Sequence, residues 1–182
     1  LNDFFDMELS NKIKKNYPKA SIITANNVFA HCDDLFGIVN GVKNLLSENG
    51  IFVFEVSYLV DVLEKTLFDT IYHEHLSYHS VIPLINFFKS NEMELFKVDL
   101  INTHGGSIRG YAKLKDSKIK KDDSIKNLVD LEHSLGIDNS QTYVDFYKKI
   151  ELIKSRLLEI LFKLKSNGKK IAAFGAPAKA TT

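Results

Sequence analysis

One cysteine, three prolines and no tryptophan occur in these 182 residues, and the net charge is only +1. The lone cysteine, Cys32, excludes an internal disulfide framework and a cysteine-rich zinc site within the chain. Basic and acidic residues are interspersed, so the broad basic footprint needed for phosphate-backbone contact is missing, and nucleic acid is not an expected partner. No apolar run approaches the roughly 20 residues of a membrane span, and the first residues lack the basic start and apolar core of a signal peptide. A reducing cytoplasm is the simplest compartment for such a chain. A hydrophobic content of 45% is ample for a buried core. The chain opens at Leu1 rather than Met and closes with Ala176 to Thr182 directly after an apolar run, so it reads as a fragment cut at both ends.

The pattern along the chain predicts an α/β fold. Phe5, Leu9 and Ile13 lie four apart on one helical face between Asn2 and Tyr17, and Pro18 closes that helix. Ser21 to Ala25 reads as a strand. Asp33 or Asp34 can then cap a helix carrying Leu35, Ile38, Val39, Val42, Leu45 and Leu46, with Gly50 as its stop. Ile51 to Val56 is nearly all apolar, as a strand covered on both faces is, so strand, helix and strand predict a parallel pair with a right-handed crossover. A helix is expected between Val81 and Asn91, with Pro83 tolerated in its first turn. Glu94 to Ile101 and Ser107 to Leu114 are strand-like, and the short glycine-bearing segment between them fits a hairpin. Lys115 to Asp123 is polar and charged and predicts a linker. Ser124 to Leu135 and Thr142 to Lys165 read as helices, the second with Val144, Ile150, Ile153, Leu157, Leu158, Leu161 and Leu164 down one side. Lys170 to Phe174 reads as a strand meeting a tight turn at Gly175-Ala176-Pro177.

Three polar clusters punctuate this frame. Tyr72-His73-Glu74-His75, with Tyr78 and His79, places six ionisable side chains in eight residues, a grouping suited to proton transfer. A glutamate beside a histidine can orient it, and a phenol can donate to an oxyanion. His73 and His79 fit equally a hydrogen-bonded structural role. Asn26 and Asn27 follow the first strand, at the carboxyl end where open α/β sheets bind ligands, although an asparagine-rich turn would look the same. His31 can face the same crevice or cap the next helix. His104-Gly105-Gly106-Ser107 and Arg109 form the third cluster, which is also compatible with a plain hairpin turn. Spacing of His75 and His79 does not fit the His-Glu-x-x-His helix of zinc proteases, leaving a metal-dependent hydrolase as the weakest chemistry.

Ala25-Asn26-Asn27-Val28-Phe29-Ala30-His31, Phe68 to Tyr78, His104-Gly105-Gly106-Ser107-Ile108-Arg109 and Gly175-Ala176-Pro177-Ala178-Lys179 together resemble the successive signatures of sugar C-methyltransferases. The resemblance implies S-adenosylmethionine as cofactor and a nucleotide-linked keto-deoxysugar as the small-molecule partner. It also implies a Rossmann-like class I methyltransferase sheet, of which residues 1–114 would be the second half, ending in an antiparallel hairpin. Residues 115–182 would be a linker, helices and the first strand of a second α/β domain. The family's zinc-binding cysteine cluster and glycine-rich cofactor loop have no counterpart in this sequence. On that resemblance His75 is the expected base, oriented by Glu74, with Tyr72 as its rival for the proton. Tyr72 and His31 would face the sugar, while Ala25, Asn26 and Asn27 would touch the cofactor and His104, Ser107 and Arg109 the substrate. No metal is required in such chemistry. Two other readings stay open: methylation of another small keto compound, and a non-catalytic sugar-nucleotide binding remnant.

Overall fold

The computed structural model describes residues 1–175. Six α-helices and four strands follow one another as α1 (Met7–Asn16), β1 (Ala20–Asn26), α2 (Leu35–Leu45), β2 (Leu46–Ser57), α3 (Leu59–Glu64), α4 (Val81–Ser90), β3 (Met93–Ile101), β4 (Ser107–Leu114), α5 (Ser124–Ser134) and α6 (Ser140–Ser166). The sheet order is β1-β2-β4-β3, with β1 parallel to β2 and β4 antiparallel to both of its neighbours. β1, β2 and β3 therefore run one way, and the hairpin's second strand is inserted between β2 and β3. The expected parallel pair and antiparallel hairpin thus join in one mixed α/β sheet.

Helix starts follow side-chain caps. The Asp6 carboxylate accepts from Leu9 N–H at the head of α1, and Asp34 accepts from Gly37 N–H at the head of α2. Between the helices and the sheet lies an aromatic core. Phe29 stands 5.3 Å from Phe54 and 6.0 Å from Phe52, centroid to centroid, and Phe54 stands 5.4 Å from Phe88. Gly110 permits this packing, because a Cβ there would meet the Phe54 ring at 2.2 Å. The core thus pins the short helical turn Phe29–His31 onto the carboxyl half of the sheet.

Several expectations need correction. Leu46 does not close α2; it opens β2, paired with Ala20 and wholly buried. Burial against the strand pair outweighs its helical spacing. The short helix α3 carries no sequence pattern that marked it. Residues 115–123 are a mostly exposed loop as expected, tied to the sheet where the buried Lys113 ammonium donates to the carbonyls of Ser117 and Ile119 and Asp122 N–H donates to the Phe96 carbonyl. α5 packs on β3 and α4, burying Ile125, Leu128 and Glu132. In α6 no residue is buried, although Phe146 leans on the core and the Tyr143 hydroxyl donates to the Ile137 carbonyl. Residues 170–174 form no strand, because a strand needs a pairing partner and none lies beside them among the described residues. Of the turn expected at Gly175-Ala176-Pro177, Ala176 and Pro177 lie outside the described residues, as do Ala178 and Lys179.

Candidate active site

A cavity of about 640 Å³ opens over the carboxyl ends of β1 and β2. Asn27 and His31, from the segment after β1, form one wall, and Ser57 closes the end of β2. Leu67, Asp69, Thr70, Tyr72 and His75, from the long connection between α3 and α4, form the second wall. His104 and Gly105 of the β3–β4 turn form the third. All three polar clusters of the sequence converge here, at the edge where the loops of a parallel sheet gather.

The two inward histidines are held alike. His75 Nδ1 lies 2.7 Å from the Thr70 carbonyl, and His31 Nδ1 lies 2.7 Å from the Glu74 carbonyl. A carbonyl oxygen only accepts, so each Nδ1 carries a proton, and in the neutral ring Nε2 is left with its lone pair. The two rings stand 4.8 Å apart and inclined at 61°, with the Tyr72 ring 4.5 Å from that of His75. Tyr78 donates its hydroxyl to the same Thr70 carbonyl at 3.3 Å, and burial pushes its phenol above the usual value.

The loop itself is tied to the rest of the fold. Leu76 N–H and Ser77 N–H both donate to the Ala30 carbonyl, and Leu59 N–H donates to the His79 carbonyl. His79 is buried against Phe29, with ring centroids 5.6 Å apart, and its Nε2 lies 3.0 Å from Ser77 Oγ. Burial lowers its pKa to about 4, so it is a neutral structural ring at physiological pH. His73 stays exposed, its ring 5.8 Å from that of Tyr72.

Not every anticipated residue reaches the cavity. Glu74 does not orient His75. The turn closed by His75 N–H on the Tyr72 carbonyl sends the Glu74 side chain to the exterior, and its main-chain oxygen orients His31 instead. Ala25 packs against the core, and Asn26 ends β1 with an exposed side chain outside the lining. Ser107 is buried and its hydroxyl donates to the Thr103 carbonyl at 3.2 Å. Arg109 faces its cross-strand neighbour Glu55, to which Nη2 and Nε donate at 2.8 and 3.2 Å. Thr70, Leu67 and Ser57 line the site without having been anticipated. Their types carry no chemical signal in sequence. Glu55 also escaped notice, although a lone charge inside an otherwise apolar strand was a visible anomaly.

A cavity at the carboxyl edge of a mixed α/β sheet, lined by two imidazoles whose Nδ1 atoms are held by carbonyls and by a phenol, is the class of site in which a small ligand meets groups able to exchange protons. Residues 102–182 match the family model for the C-methyltransferase C-terminal domain. The chain is also 32% identical over 175 residues to C-methyltransferase NovU of Streptomyces niveus, which spans 96% of this chain and 42% of that protein. The chain thus spans about two fifths of the length of the curated relative it matches. A solved structure, magnesium protoporphyrin IX methyltransferase from Synechocystis PCC 6803 with bound SAH, is similar over 56% of this chain and 48% of its own, at a TM-score of 0.41 and 10% identity. The chain is thus similar in sequence to C-methyltransferases, over residues 102–182 to the C-terminal domain of that family and over 175 residues to one curated member.

Proposed function

We propose that this chain carries the substrate-side chemistry of an S-adenosylmethionine-dependent methyl transfer to the carbon beside the ketone of a nucleotide-linked keto-deoxysugar. The observation that supports it is the pairing of His31 and His75, each with Nδ1 committed to a backbone carbonyl and Nε2 left for chemistry. A proton beside a ketone becomes removable when a base takes it while hydrogen-bond donors hold the developing enolate oxygen. His75 Nε2 takes that proton. The Tyr72 hydroxyl donates to the enolate oxygen, and His31 adds a second donor when its Nε2 is protonated.

S-adenosylmethionine, when bound, supplies a methyl group made electrophilic by a positively charged sulfur. With that cofactor bound, Tyr72 and His31 would hold the enolate oxygen so that its carbon faces the methyl group, while His75 Nε2 would keep the abstracted proton. Asn27 presents its side-chain amide to the cavity just past the carboxyl end of β1, a donor and acceptor that fits the polar parts of such a cofactor, with Asn26 beside it outside the lining. His104, on the opposite wall, faces the sugar nucleotide. Within this reading residues 1–114 are the carboxyl-terminal half of the cofactor domain, residues 115–123 a linker, and α5 packs back on that domain ahead of the start of a carboxyl-terminal one.

The reading is tested by turnover. In a protein carrying this chain, His75→Ala and Tyr72→Phe should each lower kcat by about 10²- to 10⁴-fold with little change in cofactor affinity. Wild-type kcat in both variants would remove the cluster from the mechanism.

A further inference from the structure

Glu55 is a carboxylate inside a strand whose flanking residues Phe54 and Val56 are fully buried, and it is itself only 7% exposed. Such a group needs compensation, because a buried charge without partners is costly. It has three donors. Arg109 supplies Nη2 and Nε to Oε2, and Thr103 Oγ1 donates to Oε1 at 3.1 Å. The same residue's main-chain carbonyl accepts from Asn27 N–H at 2.9 Å.

Those contacts reach two walls of the cavity. Asn27 and His104 both line it, and both have left-handed backbones, with φ of +53° and +50°. Non-glycine residues held in that region store strain and persist only where surrounding contacts fix them. For Asn27 the fixing contact is the Glu55 carbonyl. For His104 it is the turn around it: Thr103 is bound to the Glu55 carboxylate, Gly106 N–H donates to the Thr103 carbonyl at 2.8 Å, and the Lys65 ammonium donates to the Gly105 carbonyl at 2.7 Å.

We infer that Glu55 is a positioning residue whose carboxylate, through Thr103, sets the His104 wall of the site, and that Arg109 serves Glu55 rather than a ligand; Asn27 on the facing wall is held by the main chain at position 55, whatever its side chain. The first half rests on geometry alone. The second deepens the proposed function, since it removes Arg109 from the residues expected to touch the nucleotide-linked substrate, whose diphosphate an arginine would otherwise suit. Drawing Arg109 away would leave the Glu55 carboxylate buried beside a single neutral hydroxyl.

The test uses the 182-residue chain, labelled with ¹⁵N, in the variants Glu55→Gln, Thr103→Val and Thr103→Ser. Two signals are followed: amide exchange at Gly106 and the ring nitrogens of His104. Thr103→Val and Glu55→Gln should speed Gly106 exchange by about tenfold or more and shift the His104 ring signals. Thr103→Ser, which keeps the hydroxyl, should restore both, and the Phe52 amide in mid-strand should stay unchanged throughout. Uridine diphosphate, as a probe for diphosphate binding, should leave the Arg109 Nε–H signal in place. Unmoved Gly106 and His104 signals in Thr103→Val would overturn the positioning role. Displacement of the Arg109 Nε–H signal by uridine diphosphate would overturn its assignment to Glu55. Neither readout uses turnover, so failure of the methyl-transfer reading would appear elsewhere. The Thr103 pair suffices if Glu55→Gln does not fold.

Discussion

Two histidines four residues apart have opposite fates. His75 faces the cavity with a free Nε2, while His79 stacks on Phe29 with its pKa lowered to about 4 by burial. The unfolded chain would protonate His79 near its ordinary value of 6.5, so at low pH the unfolded state binds the extra proton more readily. His79 therefore contributes fully to stability above about pH 6.5, and that contribution is lost as pH falls toward about 4. A shift of this size corresponds to about 3 kcal/mol. Urea unfolding at pH 7 and pH 4.5 should show a smaller stability loss on acidification in His79→Gln than in wild type. An equal loss in both would assign the acid sensitivity elsewhere. The residues by themselves left the role of His79 open, and only the family resemblance singled out His75, because the difference lies in what packs on the rings: Phe29 is fifty residues from His79 in the chain.

At the scale of elements, the loop bearing Tyr72 and His75 is set by what grips its ends. Its downstream end runs into α4, whose N-cap residue Ser80 makes no side-chain cap, its buried hydroxyl lacking a partner. Capping comes from another helix instead. The buried Glu132 carboxylate of α5 accepts from Val81 N–H at 2.5 Å, from Ile82 N–H at 2.9 Å and from the Tyr58 hydroxyl at 3.0 Å. A negative group also suits the positive end of a helix dipole. Burial and the adjacent carboxylate push the Tyr58 phenol far above its usual value, keeping it a donor. Glu132→Ala strands three donors and should cost at least about 3 kcal/mol, with Glu132→Gln intermediate because an amide has one acceptor oxygen. A cost below about 1 kcal/mol in chemical denaturation would show that water replaces the carboxylate. The hairpin between β3 and β4 was legible, since strand alternation and paired glycines are local signals. The Glu132 cap was not, since it joins residues about fifty apart through burial alone.

Across the whole molecule, burial divides the chain unevenly. The aromatic core, the sheet and α5 share one packed interior, whereas α6 contributes no buried residue. Amide hydrogen exchange should therefore be slowest at Phe52, Phe54 and Ile108 and much faster beyond Ile150 in α6, because protection follows buried contact. Equal protection along α6 would show that its apolar face is covered in solution. The amphipathic pattern of α6 was plain in the sequence, yet pattern alone does not say that a partner surface exists.

Local chemistry was written in the chain itself: the periodicity of the helices, the apolar strands, the hairpin turn and the order of the polar clusters along it. These depend on neighbours within a few residues, where backbone sterics and spacing decide. Convergence was decided only in three dimensions. The insertion of β4 between β2 and β3 set Arg109 opposite Glu55, and the turn at Glu74 sent its carboxylate outward while its carbonyl held His31. Which histidine is a buried ring and which opens onto the cavity followed from packing, because the environment of a titratable group is made by residues distant in sequence and near in space.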